Sequence, residues 1–368
     1  MELDTTYTTF FALLQAGLWN RDPDGSCFPA SSETWERVYA LSRKQTVEGI
    51  VYDGIMRLPE RYFPPRELLL KWIVMIDSIE ERNRRMNKCV GELYEFFVKN
   101  GVAAFLVKGQ GVSACYNNPL HRVCGDIDWC FPDKENFDRA NRLIEQSKIK
   151  IEKQAGFSAC YVWRGFLVEQ HLRFLDISNP CLSNYLRRVQ QQELLHPVYL
   201  GANGRKIQLP SSLLTHLSVN THILKHMLAF GISLRQLCDS ARICYAYRNR
   251  MDAESLKKIY GKLGIYRWIQ LLNHLLVNYL GMPEEYLPFP LVLQPKADRM
   301  MEDILQGGNF GFYGGPFSKE TDEPQVKRKH VWLHLLVRFG RYARYAPWEA
   351  CWFPVMQTYS HIKNWFSR

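Results

Sequence analysis

The spacing of apolar residues changes near residue 101, and this change restricts the fold more than any other feature of the sequence. After Pro64-Pro65, apolar residues recur at alternating steps of three and four, which predicts a long amphipathic helix that ends at Asn100-Gly101. Short apolar runs bounded by Gly, Pro and Asn follow and predict strands, and helical spacing returns after Pro210. We therefore expect three parts: a helical N-terminal region (1–100), an α/β domain (101–210) and a helical C-terminal domain (211–368).

The middle part begins with a strand, a short helix, a second strand and a second helix. Its predicted strands are Val102–Val107, Gly125–Phe131, Ile149–Glu152, Ser158–Trp163 and Phe166–Phe174. The last two are expected to form a hairpin around Arg164-Gly165. Such a start followed by a small meander indicates a sheet domain. The predicted fold class of the whole chain is therefore α+β, with helical regions on either side of the sheet domain.

Two acidic residues, Asp126 and Asp128, alternate along the second predicted strand behind Gly125. Because successive side chains of a strand point to opposite faces, both carboxylates project from one face while Ile127 faces the core. Adjacent carboxylates repel each other unless a cation or a proton neutralises them, and Mg²⁺ prefers carboxylate and phosphate oxygens as ligands. The pair predicts an Mg²⁺ site, and a strand end that carries two solvated acids is the alternative.

Other polar residues are expected to lie near this pair. The first predicted strand runs into Lys108-Gly109 and a short helix, a turn whose backbone N–H groups can hold phosphate. Arg122 precedes the second strand and is a candidate phosphate ligand. Glu169 and His171 share one face of the last strand. We predict that Glu169 rather than Asp176 supplies a third carboxylate, because Asp176 follows the strand, where an acid commonly caps a turn.

The order of these motifs resembles that of a known family. Residues 106–131 read LVKGQGVSACYNNPLHRVCGDIDWCF, which contains a Lys-Gly turn, an Arg and a DID strand. The motifs VEQH (168–171), HILKH (222–226) and LRQLCD (234–239) follow. This pattern is similar to that of the polymerase-β-type nucleotidyltransferase superfamily, in its divergent branch of uncharacterised bacterial nucleotidyltransferases. The resemblance covers roughly residues 90–250.

The resemblance implies a polymerase-β-like sheet domain and an Mg²⁺-dependent transfer of a nucleoside monophosphate group from an NTP to an unknown acceptor. Asp126, Asp128 and Glu169 would be catalytic and hold two Mg²⁺ ions, and Glu169 would help to deprotonate the acceptor. The expected nucleotide-binding residues are Lys108, Gly109 and Arg122, and the candidate substrate contacts are His171, His222, Lys225 and His226. Lys108 departs from the pattern, because the superfamily usually has a second small residue there.

Several alternatives remain open at this point. The chain also fits a catalytically inactive relative that binds nucleotide, RNA or a protein, or an enzyme that adds nucleotides to a tRNA end. His222 and His226 have the spacing of an HxxxH metal pair without an HExxH motif, and bonds to the backbone or to Asp239 are the alternative. Arg235 is expected to pair with Asp239 four residues later.

The C-terminal part, 327–368, is predicted to be helical and is dense in aromatic residues and Arg. Its first stretch, KRKHVWLHLLVRFGRYAR, mixes aromatic and basic residues. Packing of its apolar side on the body of the protein is the interpretation that we favour. Contact with RNA or peripheral contact with an anionic membrane surface are the alternatives.

The composition favours a polyanionic partner but does not indicate which class of polyanion binds. The formal charge is +10, from 47 Lys+Arg against 37 Asp+Glu, which suits nucleoside triphosphates, nucleic acid or anionic lipid. The ten cysteines include no CxxC pair, and no stretch approaches the roughly 18 apolar residues that a membrane span needs. The N-terminal residues MELDTTYTTF lack the features of a signal peptide. We therefore expect a cytoplasmic protein with reduced thiols and no transmembrane segment.

Overall fold

The computed structural model describes residues 4–154, 158–202, 205–292, 297–308 and 337–366. Its helices are α1 (Thr5–Trp19), α2 (Ser32–Lys44), α3 (Glu48–Ile55), α4 (Arg66–Lys99), α5 (Gly109–Ser113), α6 (Lys134–Gln146), α7 (Ser183–Glu193), α8 (Ser212–Ala229), α9 (Leu234–Tyr247), α10 (Ala253–Leu263), α11 (Tyr266–Asn278), α12 (Asp298–Gly307) and α13 (Pro347–Phe366). Residues 337–342 are also helical. Its strands are β1 (Phe105–Val107), β2 (Ile127–Cys130), β3 (Glu152–Gln154), β4 (Ser158–Trp163), β5 (Phe166–His171), β6 (Val198–Ala202) and β7 (Arg205–Leu209).

Strands β1 to β5 form one mixed sheet in the order β1-β2-β5-β4-β3. The strand β2 pairs with β5 in parallel, while the other neighbouring pairs of this sheet are antiparallel. Since β3, β4 and β5 are consecutive antiparallel strands, they form the predicted meander, and β5 then lies beside β2. The strands β6 and β7 form a separate hairpin, and β7 contacts β1. The acidic strand β2 is therefore covered on both of its edges by other strands.

The two faces of the sheet belong to two different cores. On one face of the sheet, the side chains of Leu106, Trp129 and Val168 pack with the apolar stripe of α4 in one cluster. Their neighbours Phe105 and Cys130 pack instead with the helices that follow the sheet, in the larger cluster. This alternation is the period of two that strands impose on buried side chains. The sheet is thus held between α4 on one face and the C-terminal helices on the other.

The predicted α+β architecture is confirmed, with differences in detail. The predicted strand at 149–152 begins only at Glu152, and β2 begins at Ile127, so that Asp126 precedes the strand. Two features were not predicted: α7, in which Val189 is the buried residue, and the hairpin β6–β7. A helix with so small an apolar face gives little periodic signal. Of the predicted helix at 327–368, residues 327–336 lie outside the described part.

The described residues contain no membrane-spanning helix and no disulfide bond. Across the described ranges, every helix is too short or too polar to cross a membrane. All ten cysteines are free thiols, and six of them are buried. Burial raises the pKa of thiols such as Cys115, to about 11. The buried thiols thus behave as small apolar side chains.

The carboxyl group of Glu48, at the start of α3, is buried and gives a testable pH dependence. Its Oε2 has no hydrogen-bond partner among the described residues, and burial raises the pKa of this group from 4.5 to about 7. A raised folded-state pKa contributes stability that is complete below the unfolded pKa and is lost as the pH rises through the folded pKa. Ionisation of Glu48 therefore destabilises the fold above about pH 7.

We expect the Glu48→Gln variant to be more stable than the wild type at pH 8.5 by about 3 kcal/mol and to show almost no gain at pH 4.5. The free energy of unfolding in urea, measured at both pH values, tests this. Exposed Glu36 on α2 provides the control, since Glu36→Gln should change stability little at either pH. An equal effect of Glu48→Gln at both pH values would contradict the assignment.

Candidate active site

The register between β2 and β5 brings two carboxylates side by side. Asp128 is paired with Glu169, and Cys130 is paired with His171, so all four side chains lie on one face of the sheet. His171 Nε2 lies 2.9 Å from Asp128 Oδ1 and 3.4 Å from Glu169 Oε2. One ligand atom from each of Asp128, Glu169 and His171 lies within 4.8 Å of the others. A carboxylate–carboxylate–imidazole set of this size fits a divalent cation.

The turn between β1 and α5 forms the near wall. Lys108 has φ 50° and ψ −144°, a conformation that residues with a side chain rarely adopt, and its Nζ lies 3.7 Å from Asp128 Oδ1. Gly109 follows with φ 25°, and a Cβ at this position would lie 3.2 Å from the carbonyl oxygen of Asp126. A Cβ on Gly125 would meet nothing. The close approach of the two segments therefore depends on Gly109 and not on Gly125.

The pKa values of Asp126 and Asp128 are shifted in opposite directions. The negative charge of Asp128 raises the pKa of Asp126 to about 6, with burial and Glu169 acting in the same direction. Burial alone would raise the pKa of Asp128, but Lys108 and the hydrogen bond with His171 outweigh it and hold that pKa well below its usual range. Such divergence of two neighbouring carboxyl pKa values is characteristic of ligand-binding and catalytic sites.

The far wall is the helix α8, which presents His222, Lys225 and His226. His222 Nδ1 lies 2.8 Å from one oxygen of Asp176, and Lys225 Nζ donates to the other at 2.8 Å. The His222 and His226 rings are in edge contact, with centroids 4.2 Å apart. Burial lowers the pKa of His222 to about 4, so the imidazole is neutral at pH 7. Asp176, the rival of Glu169 in the sequence, thus orients the far wall.

Arg122 is committed to a buried ion pair. Its Nε and one terminal nitrogen donate to the two oxygens of Asp239, at 2.7 and 2.6 Å, and the Tyr116 hydroxyl donates to Asp239 at 2.7 Å. The predicted pairing of Arg235 with Asp239 is therefore wrong, because Asp239 is already held by Arg122. Arg235 instead donates to the carbonyl oxygen of Val123 at 2.7 Å. Because both of these donors are bonded to Asp239, they are not available to bind a phosphate group.

Side chains from α3 and α4 hold the segment that leads into β2. Asn83 donates to the carbonyl oxygens of Leu120 and Arg122, at 2.6 and 2.9 Å. The ring of His121 lies between Asp53, 2.7 Å from its Nδ1, and Glu80, 2.9 Å from its Nε2. Both carboxylates raise the pKa of His121 against the opposing effect of its burial. The start of β2 is therefore fixed by the N-terminal helices.

A single cleft with a volume of about 230 Å³ collects every predicted site residue. Its lining includes Lys108, Gly109, Arg122, Asp126, Asp128, Glu169, His171, His222, Lys225 and His226. It also includes Arg235, Gln236 and Asp239, to which the sequence assigned no contact in the site. A second groove shares His171 and Lys225 with the cleft and continues past Arg173. The cleft therefore opens along the edge of the sheet.

Comparison with known families agrees with this geometry. The family model described as an uncharacterised nucleotidyltransferase matches residues 31–281, which is more than half of the chain. The chain belongs to this family. The match confirms the resemblance seen in the sequence, and it extends beyond residues 90–250 to include the helices from α2 to α11.

Comparison with individual proteins adds little to the family assignment. A crystal structure of an antigenic nucleotidyltransferase-like protein from Paracoccidioides brasiliensis is similar at 14% sequence identity, over 53% of this chain and 92% of that chain. The TM-score of 0.33 is too low to indicate a shared fold. No curated protein matches the chain.

Proposed function

We propose that this family member transfers a nucleoside monophosphate group from an NTP to an acceptor in a Mg²⁺-dependent reaction. The observation that carries the proposal is the pairing of Asp128 with Glu169 beside Asp126, in the cleft that Lys108 and α8 enclose. These carboxylates would hold the metal. When bound, Mg²⁺ supplies charge to the triphosphate and to the departing pyrophosphate. A protein that only binds a partner has no need of three converging acids.

The donor triphosphate is proposed to lie along the near wall. The helix α5 begins at Gly109, which lines the cleft, and backbone N–H groups at the start of a helix can bind phosphate oxygens. Arg122 is not retained as a phosphate ligand, because it is bonded to Asp239. Arg235 takes its place in the proposal, since it lines the same cleft and its positive charge acts on Asp126.

The acceptor is proposed to enter from the groove that continues the cleft past His171 and Lys225. Glu169 lines the cleft beside His171, which also lines the groove, and 38% of the Glu169 side chain is exposed, whereas Asp128 is buried. An exposed carboxylate at this position can accept a proton from an acceptor hydroxyl. His222 and Lys225 face the same opening from α8 and are proposed to contact the acceptor. Asp176 orients both of them.

Label transfer from each of the four NTPs, labelled at the α-phosphate, tests the function. The purified protein is incubated with Mg²⁺ and cell extract, and labelled products are separated by size and chemistry. We expect the label to move to an acceptor from one or more NTPs, with release of pyrophosphate. Absence of transfer and of pyrophosphate release with every NTP, in Mg²⁺ or Mn²⁺, would contradict the proposal.

The Glu169→Gln variant is expected to lose transfer activity by about 100-fold to 10,000-fold and to retain binding of the NTP. The amide keeps the size of the side chain but cannot accept the acceptor proton. Equilibrium binding of a fluorescent NTP analogue and the rate of transfer, measured on the same samples, separate the two effects. In the control, Asp176→Asn should retain NTP binding and lose less activity. The opposite ranking would transfer the role to Asp176.

A further inference from the structure

Lys108 occupies a backbone conformation that suits glycine. Its φ of 50° and ψ of −144° lie near a region that is almost restricted to glycine, so a residue with a side chain is strained there. Strain of this kind persists where the surrounding structure enforces it, commonly at functional sites. A lysine in place of glycine at this turn is therefore retained against its own conformational preference. We therefore expect a favourable interaction of the Lys108 side chain to compensate for the backbone strain.

The ammonium group of Lys108 lies inside the acidic cluster. Its Nζ is 3.7 Å from Asp128 Oδ1, and only 16% of the side chain is exposed. The charges of Asp128, Asp176, Glu169 and Asp126 all act on it and raise its pKa, although burial acts in the opposite direction. Asp176 already has Lys225 and His222 as direct partners. Lys108 therefore interacts mainly with the other three carboxylates, and it forms an ion pair with Asp128.

The net charge of this cluster indicates how many divalent ions it can hold. Asp126, Asp128 and Glu169 carry three negative charges when ionised, and Lys108 carries one positive charge. Arg235 adds a further positive charge near Asp126, so the negative charge that remains does not exceed what one divalent cation neutralises. Asp128 Oδ1 is already shared by Lys108 and His171, whereas its Oδ2 has no hydrogen-bond partner among the described residues. The ligand atoms that lie close enough together to hold an ion come from Asp128, Glu169 and His171, and a set of this size fits one ion.

We propose that the ammonium group of Lys108 takes the place of one of the two metal ions, so that this active site holds a single divalent ion together with the bound NTP. This inference rests on the proposed function, because it concerns the same cleft. It differs from the expectation of two ions that the family resemblance implies. It also assigns to Lys108 a role toward the carboxylates, as a fixed internal cation, in addition to its place beside the triphosphate.

Electron paramagnetic resonance of Mn²⁺ tests the number of ions independently of activity. Two Mn²⁺ ions in a shared site lie about 3.5–4 Å apart and give a spin-coupled spectrum, whereas one ion gives an uncoupled spectrum. The sample contains at least two equivalents of MnCl₂ per protein and a saturating NTP analogue whose α–β linkage cannot be cleaved. The wild type is expected to give the uncoupled spectrum only. Lys108→Met and Lys108→Gly, which remove the internal cation, should give the coupled spectrum.

Two Lys108 variants and one control keep the test decisive. Lys108→Gly also removes the backbone strain, so it should fold at least as well as the wild type. Lys225→Met removes a lysine from the opposite wall and should keep the uncoupled spectrum. A coupled spectrum in the wild type, or uncoupled spectra in both Lys108 variants when they bind the analogue, would overturn the inference alone. Absence of bound Mn²⁺ and analogue in the wild type would overturn the proposed function as well.

Discussion

Replacement of Asp128 by Asn should lower the rate of nucleotide transfer by at least about a thousandfold and abolish metal-dependent binding of the NTP. Asp128 is the most buried carboxylate of the site, and it contacts both Lys108 and His171. The amide keeps the shape but removes the negative charge that holds a divalent ion. Loss of several kcal/mol of metal-derived stabilisation of the transition state corresponds to an effect of this size.

The measurement compares label transfer and Mg²⁺-dependent binding of an NTP analogue in the wild type and in Asp128→Asn. Asp77→Asn is the control, since Asp77 is exposed on α4 and lies outside the lining of the cleft. Near-identical melting temperatures of the three proteins would show that the loss is local. Asp128→Asn with full activity would exclude this residue from the metal site.

Replacement of Asp239 by Ala should lower the free energy of unfolding by about 3–5 kcal/mol. Asp239 accepts two hydrogen bonds from Arg122 and one from Tyr116, and all three residues are buried. The variant leaves the positive charge of Arg122 in the interior without a counter-charge, and this uncompensated charge accounts for most of the loss. Urea unfolding of the wild type and the variant measures the difference.

A double variant separates the ion pair from the burial of a charge. Arg122→Met with Asp239→Leu removes both charges and should recover most of the stability, because apolar side chains of similar volume replace a buried pair at little cost. The exposed pair of Lys134 and Asp138 on α6 provides the control, and Asp138→Ala should cost less than about 1 kcal/mol. A small loss in Asp239→Ala, similar to that in Asp138→Ala, would contradict the prediction.

The periodicity of the sequence was sufficient to predict the elements with a strong apolar pattern and the face that carries the acids. The alternation of Glu169 and His171 along one strand predicted which side chains meet Asp128, since the period of a strand is fixed by its geometry. The long helix α4 was predicted for the corresponding reason, since its apolar stripe packs under the whole sheet. Local patterns of this kind require no knowledge of the partner.

Contacts between distant segments were not predictable in the same way. Arg122 and Asp239 are far apart in the chain, and no local pattern distinguishes a charged residue that meets phosphate from one that meets a buried acid. The pairing of Asp176 with His222 and Lys225 likewise joins segments that are distant in the chain. The hairpin β6–β7 did have a local signal, since Asn203-Gly204 stands between its two strands in the sequence.

The parallel contact between β2 and β5 has a consequence for folding. The two strands are joined through α6, β3 and β4, so their pairing closes a loop of roughly 40 residues and follows the formation of the local hairpin β4–β5. No shorter segment of the chain contains both carboxylates in register. A nucleotide that binds this pair therefore binds the native state alone and raises the unfolding free energy by about 2.7 kcal/mol at a hundredfold excess over its Kd. The concentration of such a nucleotide would thus set the fraction of the protein that is folded.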